Sequence, residues 1–307
     1  MSRVYLLGAG FSQAAGAPLL RDAMKKGVLA CKDYANLGEV KIWLEKLFAP
    51  QHGVDSLNFE EVLSRLDLEL HYNKYEEEEK KQLELVKEEV VSLFLNALEQ
   101  CSKQKLPEEY YIFARRLQPE DVVINLNYDL VLENALLATK RFYPDYKLLF
   151  SGQTVPGLIS FPVLKPHGSL NLYYCPHCLR VCQLKTQDYS GIINKYRILG
   201  GCGHFLRPLI ITPTLYKSYG LEEMRQIWFN CLTALIQAQK IIFIGYSLPK
   251  ADVLVAQMLD FAQRLNKNNL EVEVVNGISP DLRAIASLYQ GRIINSGKSF
   301  REWVKGV

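Results

Sequence analysis

The segment Val4-Tyr-Leu-Leu-Gly-Ala-Gly-Phe-Ser-Gln-Ala-Ala-Gly-Ala-Pro18 fixes what the start of the chain can become. Val4 to Leu7 is a short apolar run that reads as a buried strand, and Gly8 and Gly10 permit a tight turn into a helix. In such a turn backbone N–H groups come close to a pyrophosphate, and the helix directs its positive end at the phosphates. The spacing departs from G-x-G-x-x-G, because Gln13 stands at the third glycine's place and the next glycine is Gly16. On these residues alone, a strand-to-helix turn without a ligand is as good a reading as a phosphate loop.

The 307 residues, 49% of them apolar, can bury one large core or two smaller ones, and nothing in the composition suggests disorder. Met1-Ser-Arg3 runs into the first strand without an apolar leader, and no run of 18 uncharged apolar residues follows. A cytoplasmic protein with no membrane association is therefore expected. A net charge of +3 is too small to signal nucleic acid. Glu76 to Glu79 read as a solvated helix N-terminus. Seven cysteines, three of them between Cys175 and Cys182, suit reduced thiols and a metal better than a disulfide framework.

Between Leu20 and Leu117 the pattern is helical. Leu83, Val86, Val90, Phe94 and Ala97 share one face, and Asn58 opens another helix that carries Phe59, Val62, Leu63 and Leu66. Residues 20–117 are read as a helical insertion after the first strand, either a lid or partner surface over a pocket, or a layer that covers the sheet. Asp121 to Leu126 is the next buried strand, ending in Asn127-Tyr128-Asp129, where ligands of open α/β sheets gather. The plainer reading is that Asn127 or Asp129 caps the following helix. Ile159 to Leu164 leads to Lys165-Pro-His167-Gly168, a histidine at a strand end that is either structural or an acid–base group. Cys175-Pro-His-Cys178, then Cys182, Cys202 and His204, offer the ligand count and softness of tetrahedral zinc in a 173–207 module with little apolar content; clustered free thiols are the alternative. Leu209 to Pro213 and Lys240 to Gly245 are further strands, with a helix from about Leu221 to Ala238 between them. Leu270 to Val275, ending at Asn276, is another, followed by a helix over Ser279–Leu288, a strand near Ile293 and a last helix from about Ser299.

These motifs, in this order, resemble the sirtuins and the wider SIR2-like family. Gly8-Ala9-Gly10-Phe11-Ser12, with Gly16, Pro18 and Arg21, is similar to the family's G-A-G-x-S-x-x-x-G-I-P-x-F-R loop. Asn127-Tyr-Asp129 resembles T-Q-N-x-D, His167-Gly168 resembles L-H-G, and Gly245-Tyr-Ser247-Leu stands where sirtuins carry G-T-S-L. The resemblance implies a Rossmann-like, parallel, doubly wound α/β sheet in a single domain over 1–307, with the small zinc module and the helical insertion. NAD would then be bound as substrate by the glycine loop, Asp129, Gly245, Ser247 and Asn276, with Asn127 and His167 catalytic. Structural Zn2+ would sit on Cys175, Cys178, Cys202 and a fourth ligand. The family's fourth cysteine position is Leu199 here, so His204 is chosen over Cys182.

Two family segments are missing: V-V-x-F-G-E near Leu209, and the V-x-P that follows G-T-S-L, both of which serve an acyl-lysine peptide in deacylating sirtuins. The reading that follows is an NAD+ hydrolase resembling bacterial SIR2-like NADases of antiphage defence. The insertion or a homo-oligomer interface would gate it, and a protein partner or phage-derived trigger would open it. An NAD-dependent deacylase and a non-catalytic NAD or ADP-ribose sensor are the alternatives.

Overall fold

The computed structural model describes residues 2–30, 37–48, 57–72, 75–102, 104–149, 155–184, 199–211, 221–249, 252–275, 282–289 and 293–306. In chain order the elements are β1 (Arg3–Leu7), α1 (Ala9–Gln13), α2 (Leu20–Ala30), α3 (Leu37–Leu47), α4 (Phe59–His71), α5 (Glu77–Ser102), α6 (Glu108–Arg116), β2 (Val122–Asn125), α7 (Val131–Ala138), β3 (Phe142–Asp145), β4 (Ile159–Leu164) and β5 (Gly168–Tyr174). They continue with β6 (Val181–Gln183), β7 (Arg207–Ile210), α8 (Glu222–Gln237), β8 (Lys240–Ile244), α9 (Val253–Leu265), β9 (Glu271–Val275), α10 (Leu282–Leu288), β10 (Ile293–Asn295) and α11 (Phe300–Lys305).

Among the described residues, seven strands form one sheet in the order β10-β9-β8-β1-β2-β4-β3, and every pairing in it is parallel. The apolar runs explain this: strands such as Val4–Leu7 and Ile241–Ile244 are buried on both faces, as a parallel sheet covered by helices requires. From β1 the chain builds outward through β2 and β4 on one side and later through β8, β9 and β10 on the other. That makes β1 the switch point, where ligands of such sheets sit. Leu7 is level with Asn125 on one side and Ile244 on the other, and Ile124 is level with Leu164, so the loops leaving β1, β2, β4 and β8 emerge together.

Helices α2 to α5 form a layer with its own apolar core, in which Phe59 stacks on Phe94 at 4.3 Å and Leu83, Val86 and Val90 are buried. Asn58 caps α4 by accepting from the Glu60 amide at 2.9 Å. The same core takes in Tyr128, Leu170, Tyr173, Cys175 and Leu206, so the helical layer also packs on a second, antiparallel sheet of order β6-β5-β7.

Three strands, β3, β5 and β6, have no counterpart in the sequence pattern. β3 holds Pro144, and a proline strand without apolar alternation is tolerated only because β3 is the sheet's edge. β5 starts at Gly168, whose φ of +87° and contact with β7 demand glycine: a Cβ there would lie 2.1 Å from the Leu209 carbonyl oxygen. No helix among the described residues is long and apolar enough to cross a membrane.

Candidate active site

The loops leaving β1, β2, β4 and β8 enclose a cleft lined by Gly8, Ala9, Gly10, Ser12, Pro18, Asn127, Asp129, His167, Gly245 and Ser247, with Glu60, Phe94 and Leu98 contributed by α4 and α5. Asn127 and His167 thus share one cavity with the glycine turn, although 40 residues separate them in the chain.

The glycines are required by a neighbouring backbone. A Cβ on Gly8 would sit 2.7 Å from the Gly245 carbonyl oxygen, and one on Gly245, whose φ is +63°, would sit 2.1 Å from the Phe11 nitrogen. The Gly8 amide donates to the Ile244 carbonyl at 3.0 Å and the Gly10 amide to the Gly245 carbonyl at 2.9 Å. This corrects one expectation: both amides are spent on the exit of β8 and do not point at a phosphate. The helix that follows, α1, is only five residues long.

Asn127 ties the loops together. Its Nδ2 donates to the Gly8 carbonyl at 2.8 Å and to Ser12 Oγ at 3.1 Å. The Ser12 hydroxyl donates to Asp129 Oδ1 at 3.0 Å, which also accepts from the Val131 amide at 3.0 Å. Asp129 is therefore a bracket between α1 and α7. Burial pushes its carboxyl above the usual range, against the opposing pull of Lys165.

His167 is 5% exposed. Its ring lies between those of Tyr128 and Trp228, each with centroids 6.2 Å away, and its carbonyl accepts from the Ile211 amide. Trp228 Nε1 donates to the Pro166 carbonyl at 3.1 Å and Lys165 Nζ donates to the Asp129 carbonyl at 2.6 Å, which pins the segment before the histidine on both sides. Lys165 also pairs with Glu133 at 3.1 Å, both fully buried, and the Tyr146 hydroxyl donates to the same Glu133 oxygen. Neither this pair nor Glu60, Tyr246 and Asp252 of the cleft stood out in the sequence. A lysine two residues before a histidine carries no signal until its buried partner is known.

The remaining sequence candidates separate. Phe11 faces the core, edge-on to Tyr110 at 5.1 Å and Phe300 at 4.9 Å, and its side chain does not line the cleft. Gly16 takes φ +89° in the turn after α1, outside the cleft lining. Arg21 lies in α2 with its side chain outside what the structure describes, and Asn276 falls outside the described residues.

The sulfur atoms of Cys175, Cys178 and Cys202 lie within 4.8 Å of one another. The Cys178 amide hydrogen-bonds to the Cys175 sulfur at 3.4 Å and, with Cys202 at 3.3 Å, pulls that thiol down to about 7. Three converging thiols, one of them readily ionised, fit a thiophilic ion. His204 and Cys182 are not part of this trio: the His204 ring stacks on His177 at 4.0 Å and its Nδ1 lies 3.1 Å from the Cys202 carbonyl.

The sheet defines a Rossmann-like α/β protein with a cleft at the switch point. The sequence profile of the SIR2-like domain matches residues 121–275, half of the chain. The chain belongs to the SIR2-like family. No curated protein matches it. Among solved structures, a Sir2 homologue in complex with NAD is similar at 17% identity and a TM-score of 0.53, over 99% of this chain and 88% of the other. Sir2Tm bound to a propionylated peptide gives 15% identity and a TM-score of 0.45, over 99% and 91%.

Proposed function

We propose that this protein is an NAD-dependent enzyme that hydrolyses the bond between nicotinamide and ribose, giving nicotinamide and ADP-ribose. The observation that carries the proposal is the meeting of Asn127 and His167 in one cleft with the glycine turn. The NAD seen with a Sir2 homologue of the same fold supports the choice of ligand. Departure of nicotinamide leaves an oxocarbenium-like ribose, and the enzyme must stabilise that charge and supply a nucleophile. Asn127, held by Gly8 and Ser12, would position water against the anomeric carbon, and His167 would take the proton or orient the ribose hydroxyls. Water is preferred to an acyl-lysine because the V-V-x-F-G-E and V-x-P segments are absent from the sequence.

Cys175, Cys178 and Cys202 would hold a structural zinc, completed by His204 or Cys182, that braces the 173–207 module and takes no part in the reaction. The helical insertion over 20–117, which brings Glu60, Phe94 and Leu98 to the cleft, would gate access in response to a partner. Depletion of NAD in antiphage defence is the biological role that fits such an activity.

The test is incubation of purified protein with NAD and chromatography of the products, with Asn127→Ala and His167→Ala as controls. Nicotinamide and ADP-ribose released by the unaltered chain alone support hydrolysis. Product that forms only with an acetyl-lysine peptide supports a deacylase, the reading that the cysteine trio favours. Tight NAD binding without turnover supports a sensor.

A further inference from the structure

Asp252 stands at the N-cap of α9, where an aspartate ordinarily accepts from its own helix's amides. Its side chain makes no such bond. Oδ2 accepts from the Tyr246 hydroxyl at 3.0 Å, and Oδ1 lies 4.0 Å from Nε2 of His167. The carboxylate and the imidazole are only 14% and 7% exposed. Burial, together with the neighbouring carboxylate, pushes the Tyr246 hydroxyl far above its usual range, so it stays a donor. By the family resemblance, Asp252 occupies the last position of the segment that is V-x-P in deacylating sirtuins.

We propose that Asp252 is the positioning residue for His167: it fixes the imidazole in the cleft and stabilises the imidazolium formed when the histidine takes up a proton. A separation of 4.0 Å is too long for a direct hydrogen bond and short enough for strong charge attraction in a mostly buried site. Among the described residues, the other charged or titratable groups around the cleft are Glu60 from α4, Asp129 after β2, Lys165 at the end of β4, and Tyr128 and Tyr246. Of these, Asp129 is engaged by Ser12 and the Val131 amide, and Lys165 by Glu133 and the Asp129 carbonyl. The catalytic meaning of the pairing rests on the NAD-hydrolase reading. There, the water oxygen bonds to the anomeric carbon, that carbon's bond to the nicotinamide nitrogen breaks with the electron pair leaving on nicotinamide, and the water proton goes to His167 beside Asp252.

The test is an NMR titration of the histidine rings in the full chain, whose five histidines are few enough to assign with His167→Ala. The His167 midpoint is expected to fall by about one pH unit in Asp252→Asn and to stay near the unaltered value in Asp252→Glu. Should Asp252→Asn fail to fold, Asp252→Ser, a good helix cap, is expected to give the same fall. In NAD cleavage, Asp252→Asn should lower kcat about tenfold or more with KM nearly unchanged, and move the ascending limb of the pH profile down by the same shift. An unchanged midpoint overturns the proposal even if the protein releases nicotinamide. A shifted midpoint in a protein that releases none keeps the pairing and removes the hydrolase.

Discussion

The side-chain amide of Asn127 donates to the carbonyl oxygen of Gly8 at 2.8 Å, which clamps the end of β2 to the exit of β1. The clamp is buried and crosses 119 residues of sequence. Asn127→Asp keeps the shape but turns an acceptor toward the Gly8 carbonyl, and should cost about 1–3 kcal/mol in urea denaturation while reducing nicotinamide release to background. Ser12→Ala removes one partner and leaves the clamp, so it should cost about 1 kcal/mol and retain more of the activity.

The approach of Gly8 and Gly10 to Gly245 leaves no room for a side chain. Gly245→Ala adds a backbone clash to a left-handed φ, and should destabilise by about 4 kcal/mol or prevent folding. Gly38, in α3, is the control, since a methyl added there would meet nothing within 4 Å. Gly38→Ala should stabilise by up to about 1 kcal/mol. Denaturation midpoints of the two variants decide this.

Lys165 and Glu133 form an ion pair with both side chains at 0% exposure. Burial raises the Glu133 carboxyl above its usual range, and Lys165 opposes the rise. Lys165→Met removes that opposition and should cost about 3–5 kcal/mol at neutral pH. The sign follows from linkage: a carboxyl whose folded pKa is raised costs nothing below its unfolded pKa, and its stability contribution is lost as pH rises through the folded value. The deficit of Lys165→Met should therefore grow from acid to neutral pH, and adding Glu133→Gln should remove that dependence. Urea titrations across the range measure it.

Cys175, Cys178 and Cys202 should bind zinc stoichiometrically, as read by elemental analysis. Serine at any of the three should abolish retention and lower the melting temperature. The Cys178 amide lowers the Cys175 thiol while Cys202 is raised beside it, and thiols must lose their protons to bind the metal, so zinc uptake should weaken as pH falls.

Much of the α/β architecture was legible as pattern. β1, β2, β4 and β8 are apolar runs, β9 alternates, and α4, α5 and α8 carry apolar faces, because burial against a covered sheet imposes such patterns locally, whereas α9 was not read. β3 escaped because Pro144 and its edge position relax that demand. In the cleft, Asn127, Asp129 and His167 were conspicuous as polar residues after strands, and the family resemblance made them candidates over helix caps and a structural histidine. Lys165, Glu133, Tyr246 and Asp252 were not conspicuous, since each takes its meaning from a partner on another element.

Local periodicity was enough for the strands of the sheet centre, the longer amphipathic helices and the polar residues at the strand exits, because these patterns follow from backbone geometry and burial. That Gly8 and Gly10 answer to Gly245, that Phe11 belongs to the core, and that Asp252 faces His167 became visible in the folded chain alone. Those relations depend on parallel register across β1, β2, β4 and β8, which brings together loops more than a hundred residues apart and is written in no single stretch of the chain.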